Sequence, residues 1–275
     1  MRRGRRLNLV AVPIMLVVGL VWLYPFLWVI STAFKERRDA FTAGASLLPT
    51  EWVFDNFPRA WEEAGVSQFF VNTMLYAGTS TVIELVKAAL CGYVLARYEF
   101  PGRTLLYRLI VATLFVPVAS IIIPQFELVD SLGLLNTRTG VVLAMSGAAG
   151  ALYVLLFVGF FEAMPRELFD AAKVDGAGFV RTFRLVLPLA KPVIAVVVIF
   201  NFIAGWNEFN IPFVFTLSQP ELQNLAVGMK SFQGENALDW TGLSAGMVFS
   251  FVPMLIIFLA FQNYFVRGLA GAVKE

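Results

Sequence analysis

The sequence predicts an all-α membrane protein with six transmembrane helices, and three observations carry that reading. The 275 residues are 59% hydrophobic and 15% charged, where about 25% charged is ordinary for a soluble domain. Mean hydropathy is +0.75. Runs without a single charge approach or exceed the roughly 20 residues that a helix needs to cross a bilayer. Such a chain has too little polar surface to cover a water-soluble globule, so a soluble enzyme is excluded.

Charges mark the spans. Leu7 to Phe34 is the first. Arg2, Arg3, Arg5 and Arg6 precede it, as in a signal peptide. Its apolar stretch outruns a signal core of roughly 7–15 residues and no A-x-A site closes it, so it is expected to stay as a helix. The second span, about 69–96, contains Glu84 and Lys87, which read as a neutralising pair rather than a proton relay. Leu109 to Phe126 and Thr139 to Phe161 are the third and fourth. The fifth, about 185–208, has Lys191 near its start, and Thr241 to Val266 is the sixth. No internal repeat or low-complexity tract stands out. Residues 1–275 therefore read as one domain, with a first helix over 7–34, a five-helix core over 69–266, a charged loop over 162–184 and a tail over 267–275.

With the N-terminus inside, Lys and Arg number 14 in the inner segments and 6 in the outer ones, with Lys87 within the membrane. The positive-inside rule then places both termini in the cytoplasm. Trp52, Phe54, Phe57 and Trp61 in the first external loop are expected to pack on the membrane surface. The last external loop, about 217–240, is polar and reads as a finger or a passive solvated loop, with Met229, Lys230, Ser231 and Phe232 near its tip.

Absences exclude other chemistry. There is no histidine, which removes Ser-His-Asp, Cys-His and His-based metal sites, and no metal site is expected. A single cysteine, Cys91, allows no internal disulfide and reads as a packing residue. No GxxxxGK[ST] loop is present, so the chain does not hold ATP through a P-loop of its own. A net charge of +2 argues against a nucleic-acid partner.

The stretch Glu162 to Pro192 concentrates the charge. Pro165 sits where a helix can begin, and Glu167 and Asp170 fall in its first turns, favourable at the positive end of the helix dipole. Leu168, Ala171 and Ala172 form a small apolar stripe. Asp175-Gly176 breaks the helix, with Gly176 free to take a positive φ. Phe179, Phe183 and Leu187 make a second stripe, and Pro188 is expected to open the next membrane helix. The product is a short surface helix, a turn and another helix. It suits docking into a groove of a soluble partner, and equally an amphipathic helix lying on the membrane.

Polar groups within a membrane face protein or water. Asn72, Asn201, Asn207, Glu208 and Asn210, with Trp206 as a platform for a sugar ring, are the candidates for a solute pathway. Interhelical hydrogen bonding explains buried Asn equally well.

Asp170-Ala171-Ala172, Gly176 and Leu187-Pro188 together resemble the EAA loop of ABC importer permeases, whose pattern is Glu-Ala-Ala, a spacer, Gly and a later Leu-Pro. Asp170 stands where the family has glutamate, and the stretch from Gly176 to Leu187 is shorter by one residue. The resemblance runs along nearly the whole chain in order. It includes Asn72, Gly92-Tyr93-Val94-Leu95-Ala96-Arg97, Phe100-Pro101-Gly102-Arg103, Ile123-Pro124 and Leu132-Gly133-Leu134-Leu135-Asn136-Thr137. It continues through Trp206-Asn207-Glu208-Phe209 with Pro212, Phe261-Gln262, Gly268-Leu269 and Gly271-Ala272-Val273-Lys274. It is similar to the carbohydrate-uptake group, and within it to the smaller, maltose-type subunit.

The resemblance implies a binding-protein-dependent importer in a bacterial or archaeal cytoplasmic (inner) membrane. Two permease subunits, here a homologous and different second chain, would surround the pathway. Two ATPase subunits would bind the EAA coupling helices between the fourth and fifth spans. An extracytoplasmic substrate-binding protein would deliver the solute. ATP and Mg would sit in the ATPases, leaving no cofactor in this chain. Glu167, Asp170 and Asp175 would make polar contacts at the ATPase groove or serve as helix caps. Ala171 and Ala172 would allow close packing, and Gly176 would set the turn. The tail with Gly268, Gly271 and Lys274 would reach between the ATPases, or fray. A sugar or oligosaccharide is the expected solute, with glycerol-phosphate or another small polar solute as the alternative. A stand-alone secondary transporter fits less well, because Glu84 is the only mid-span acid and no inverted repeat is evident.

Overall fold

Pro117 and Pro188 change where the expected spans break and begin. The computed structural model describes residues 2–42, 46–147, 150–232 and 239–272, and all regular structure among them is helical. The principal helices are α1 (Arg2–Thr32), α2 (Val66–Arg97), α3 (Arg103–Thr113), α4 (Ile122–Ser131), α5 (Arg138–Gly147), α6 (Gly150–Ala163), α7 (Arg166–Val174), α8 (Phe179–Trp206), α9 (Asn210–Phe215) and α10 (Trp240–Ala272).

Four helices are long and apolar enough to cross a bilayer: α1 over Ala11–Thr32, α2, α8, and α10 over Trp240–Gln262. Helices α5 and α6 pass the same test together, with their axes bent by 54°, and make a fifth if they form one broken span. The expected third span, Leu109 to Phe126, is not one helix. Helix α3 stops at Thr113, Pro117 is extended (ψ 124°), and a short 3-10 turn leads into α4. Proline has no N–H to donate and disfavours helical backbone in the residue before it.

The fifth span also starts earlier than expected. Helix α8 runs from Phe179, and Pro188 lies within it rather than opening it. A 3-10 turn over Leu187–Ala190 absorbs the proline, with Pro188 in its first turn, where a missing N–H costs least.

The chain forms two compact units. The first comprises residues 1–67 and 228–252. Phe34, just beyond α1, packs against Trp52, Phe54 and Phe57 at ring separations of 5.5, 5.5 and 4.9 Å. Phe57 and Trp61 also meet Phe249. The external-loop aromatics expected to pack on the membrane surface therefore have a core of their own, although Trp52 and Phe54 stay more than half exposed. Buried Asn56 donates both amide protons, to the carbonyls of Ala33 and Lys35 at 2.9 Å each, and so satisfies backbone groups left unpaired where α1 ends.

Segment 229–232 is a packed turn rather than a projecting tip. Phe232 is buried, and Met229 lies against Gly246 of α10. Lys230 is exposed. Asp239 caps α10: its Oδ1 accepts the Gly242 N–H at 3.0 Å, and Arg37 and Arg59 approach Oδ2 at 2.8 and 3.2 Å. Burial pushes the Asp239 carboxyl up, but the Gly242 N–H, Arg59, the Thr241 hydroxyl and Arg37 together outweigh it and hold it below its ordinary value.

The second unit comprises residues 68–227 and 253–275. Helix α2 is its spine. Ala88, Ala89 and Tyr93 of α2 pack with Tyr153, Phe157 and Phe161 of α6 and with Val186, Ala190 and Val197 of α8. Nearer the other end of α2, Tyr76 packs with Val129 of α4, Val141 and Ala144 of α5, and Phe215 of α9. Two glycines set the spacing. A Cβ on Gly92 would lie 2.4 Å from Phe157 Cβ and 3.1 Å from its backbone carbon. One on Gly205 of α8 would lie 3.2 Å from Ala77 Cα.

Two outcomes are expected. Gly92→Ala overpacks the α2–α6 contact and should cost about 1–3 kcal/mol, read as a lower thermal midpoint in detergent. Gly78→Ala, where a Cβ meets nothing within 4 Å, should leave the midpoint unchanged. For Asp239, the depressed folded-state value means its stabilisation is complete above the ordinary aspartate value of about 3.9. It is lost as pH falls through the lower folded value. Asp239→Asn should therefore lower the midpoint at neutral pH and flatten the acid limb of a midpoint-against-pH curve.

Candidate coupling site and solute pathway

Helix α7 is built as its residues dictate. Pro165 precedes it in extended backbone (φ −55°, ψ 135°), Glu167 is in its first turn and Lys173 in its last, each charge matched to its end of the helix dipole. At its C-terminus the Gly176 N–H donates to the Lys173 carbonyl at 3.0 Å and the Ala177 N–H to the Ala172 carbonyl at 2.9 Å. Gly176 takes φ +71°. This double-bonded stop is a Schellman cap, which needs a left-handed residue at this position.

The expected stripe of Leu168, Ala171 and Ala172 is divided. Ala172 is buried and Leu168 partly buried, and Phe169 joins them on the inner face. Ala171 turns outward with Glu167, Asp170 and Asp175, and Val174 is 88% exposed. The outward face thus combines three carboxylates with two small apolar side chains.

The inner face rests on an aromatic knot at the end of α2. The Tyr93 ring lies 5.5 Å from Phe161, 6.4 Å from Phe169, and 5.3 Å from each of Phe179 and Phe183. One residue thereby touches α6, α7 and α8. Arg97, the last residue of α2, donates to the carbonyls of Phe161 and Met164, the latter at 2.6 Å. Its guanidinium sits 3.9 Å above the Phe169 ring. It caps the end of α6, where carbonyls lack helical partners, and holds α7 by a cation–π contact. Beside this knot a cleft of about 790 Å³ is lined by Arg97, Glu99, Arg103, Arg166, Asp170 and Lys173, among others.

The pathway candidates separate by burial. Asn72 is fully buried, and its amide donates to the Glu221 and Gln223 carbonyls at 2.7 and 2.9 Å. Tyr76 donates to the Leu222 carbonyl at 2.7 Å, and Thr73 Oγ1 accepts the Leu225 N–H at 2.7 Å. One face of α2 thus clamps segment 221–225. Asn201 is buried and donates to Thr81 Oγ1 at 3.2 Å. Trp206 is buried, edge-on to Phe70 and stacked on Phe202, so its ring is not an open platform. Glu208 Oε1 accepts the N–H groups of Asn210 and Ile211 at 2.9 and 3.1 Å and so caps α9. Asn207 and Asn210 are exposed. Among the described residues no group of acids and Cys with metal-site geometry occurs. In the tail, Gly268 and Gly271 lie within α10, and Lys274 is outside the described residues.

Sequence reasoning named the α7 residues; it quoted Tyr93 and Arg97 only within a motif and gave neither them nor Phe169 a role at the site. Tyr93, Arg97 and Phe169 carry the site from below. Their signal was an arginine closing a long apolar run, with two aromatic residues following at helical spacing beyond Gly178.

The chain matches the family described as the binding-protein-dependent transport system inner membrane component over residues 88–271. It belongs to that family. The permease is 33% identical over 98% of its length, and 89% of the relative's, to the diacetylchitobiose uptake system permease protein NgcG of Streptomyces coelicolor. It is 32% identical over 94% of both chains to the melibiose/raffinose/stachyose import permease protein MelC of Bacillus subtilis. A solved structure described as a bacterial ABC transporter involved in import of the acidic polysaccharide alginate shares 24% identity with it. The TM-score is 0.83 over 96% of this chain and 98% of that one, which shows a common fold. The protein is thus an inner-membrane permease subunit of an ABC importer, and ATP hydrolysis lies in a separate subunit. Membership also implies a binding protein and a second permease.

Arg97→Met keeps an apolar stem but removes both carbonyl bonds and the guanidinium over Phe169. One charge-assisted bond worth about 1.5 kcal/mol already corresponds to a factor of roughly ten, so losing both should speed amide exchange in residues 166–174 at least tenfold. Hydrogen-exchange mass spectrometry checks this, with segment 221–225 as the unaffected reference.

Proposed function

We propose that the permease imports a sugar or oligosaccharide by alternating access, and that α7 is its coupling helix. The observation that carries this reading is the outward face of α7, with Glu167, Asp170, Ala171 and Val174 exposed above a rigid aromatic base. A partner groove would accept the small apolar residues and pair the carboxylates, with Asp175 at the rim. The sugar assignment is supported by the solutes named in the two relatives above.

In this reading residues 1–275 form one ABC transmembrane domain with both termini cytoplasmic. The six membrane passages are α1, α2, the α3–α4 pair broken at Pro117, the α5–α6 pair, α8 and α10. Two ATPase subunits each dock one coupling helix, one on this chain and one on a second, homologous permease. The cleft beside Arg97 and Asp170 receives part of the ATPase surface, and the tail with Gly268, Gly271 and Lys274 reaches toward it. On the outer side, Met229, Lys230, Ser231 and Phe232 belong to the region met by the binding protein, where Lys230 is exposed.

Solute contact falls to Asn207 and Asn210, whose exposure suits it, with Glu208 holding the turn between them. Asn72, Asn201 and Trp206 then serve the pathway indirectly, by fixing the segment and helices that shape it.

Gly176→Pro tests the coupling role. Proline is confined near φ −65°, whereas Gly176 stands at +71° and donates its N–H to Lys173. In the assembled transporter in lipid, binding-protein stimulation of ATPase activity should be lost while basal hydrolysis persists. Stimulation equal to wild type would reduce α7 to a surface helix and end the coupling assignment.

A further inference from the structure

The start of α8 presents two faces of different chemistry. Thr182, Val186 and Ala190, at i, i+4 and i+8, are buried. Opposite them Arg181, Arg184, Pro188 and Lys191 recur at i, i+3, i+7 and i+10, and all four are exposed. The 3-10 turn at Leu187–Ala190 keeps Lys191 in line with Pro188, since residues three apart eclipse in such a turn. Val180, Leu185 and Leu189 flank the row and are each more than half exposed. None of the three cations is in an ion pair among the described residues. No acid lies near them along the chain either, because the first after Asp175 is Glu208.

Two simpler roles leave this pattern unexplained. Arg184 would suit the negative end of a helix dipole, but the helical run continues past it to Trp206. Cations that only orient a chain in the membrane need share no face, and these do. The surface of α7 also differs in kind. Its exposed residues mix Glu167, Asp170 and Asp175 with Arg166 and Lys173, whereas the α8 row is basic throughout and set among apolar side chains. Lys191 is the last charge before Glu208, so the row ends where the apolar part of the span begins. At that level of a bilayer, phosphates lie beside the upper acyl chains, and long Arg and Lys side chains reach to them.

We propose that Arg181, Arg184 and Lys191 form a binding row for anionic phospholipid. The two guanidinium groups and the ammonium take the phosphates, and Val180, Leu185 and Leu189 take the upper acyl chains. Three unpaired cations select a headgroup of net negative charge, such as phosphatidylglycerol, over a zwitterionic one. The inference needs only that α8 crosses the membrane, and it stands apart from the coupling role of α7.

The test uses the assembled transporter in phosphatidylcholine nanodiscs. These carry a trace of photoactivatable phosphatidylglycerol, or the same trace of photoactivatable phosphatidylcholine with identical chains. Peptide mapping by mass spectrometry reads the label in residues 179–192. Phosphatidylglycerol should label this segment roughly tenfold more than phosphatidylcholine, the scale expected of several cations beside an anionic surface. Arg181→Gln/Arg184→Gln/Lys191→Gln should abolish the preference. All three side chains are on the surface, and if that variant does not assemble the wild-type comparison of the two lipids decides alone. Equal labelling by the two lipids in the wild type, or a preference that survives loss of the cations, overturns the proposal. So does an unlabelled segment in the assembly, which would give the row to an acidic surface of a partner subunit. Both leaflets hold the probe and no turnover is read, so the outcome is independent of the Gly176→Pro result.

Discussion

The Arg97 side chain is the interaction on which the second unit depends. It sits where three constraints meet: the end of α2, the unpaired carbonyls at the end of α6, and the ring of Phe169 on α7. A single nitrogen, Nη2, donates to both carbonyls while the flat guanidinium lies against the ring, a planar fit that a lysine ammonium does not offer. Tyr93, one turn earlier, adds the apolar half of the joint. A helix of nine residues is too short to hold itself in water, so the order of α7 is borrowed from this joint. That leaves its outer face free to be shaped for a partner.

Polar groups elsewhere follow a single rule, that backbone ends within or near a membrane must be met by something. Asn56 meets the end of α1, Asn72 and Tyr76 meet segment 221–225, Glu208 caps α9, Asp239 caps α10, and Lys87 meets the end of α5. Of these, the sequence offers Asn72 and Glu208 as pathway candidates and Lys87 as half of a charge pair. In the fold most of them close a helix or fasten a loop. What remains open to solvent near the end of α8 is a short list headed by Asn207 and Asn210.

The start of α7 at Pro165 and its stop at Gly176 were legible in the sequence, because both rest on backbone chemistry that those residues impose locally. The rotation of α7 was not. Periodicity puts Leu168, Ala171 and Ala172 near one another, but which row faces inward is decided by Tyr93 and Phe183, and these come from other helices. Trp206 misled for the same reason: its residue type suits sugar stacking, while its partners Phe70 and Phe202 bury it. Pro117 and Pro188 were visible as letters. Their consequences diverged because a 3-10 turn keeps Pro188 inside a helical run, whereas the extended backbone at Pro117 ends one.

The same packing decides where the second unit can yield. Gly92 lets α2 and α6 approach too closely for either to slide, and Gly205 does the same for α2 and α8. With Arg97 and Tyr93 joining α7 to both neighbours, α7, α2, α6 and the adjoining part of α8 share one packed contact. Close-packed interfaces of this kind switch between discrete arrangements rather than deform. Among the described residues, compliance is left to the places where regular helical hydrogen bonding is interrupted: Pro117 between α3 and α4, and the 3-10 turn at Leu187–Ala190.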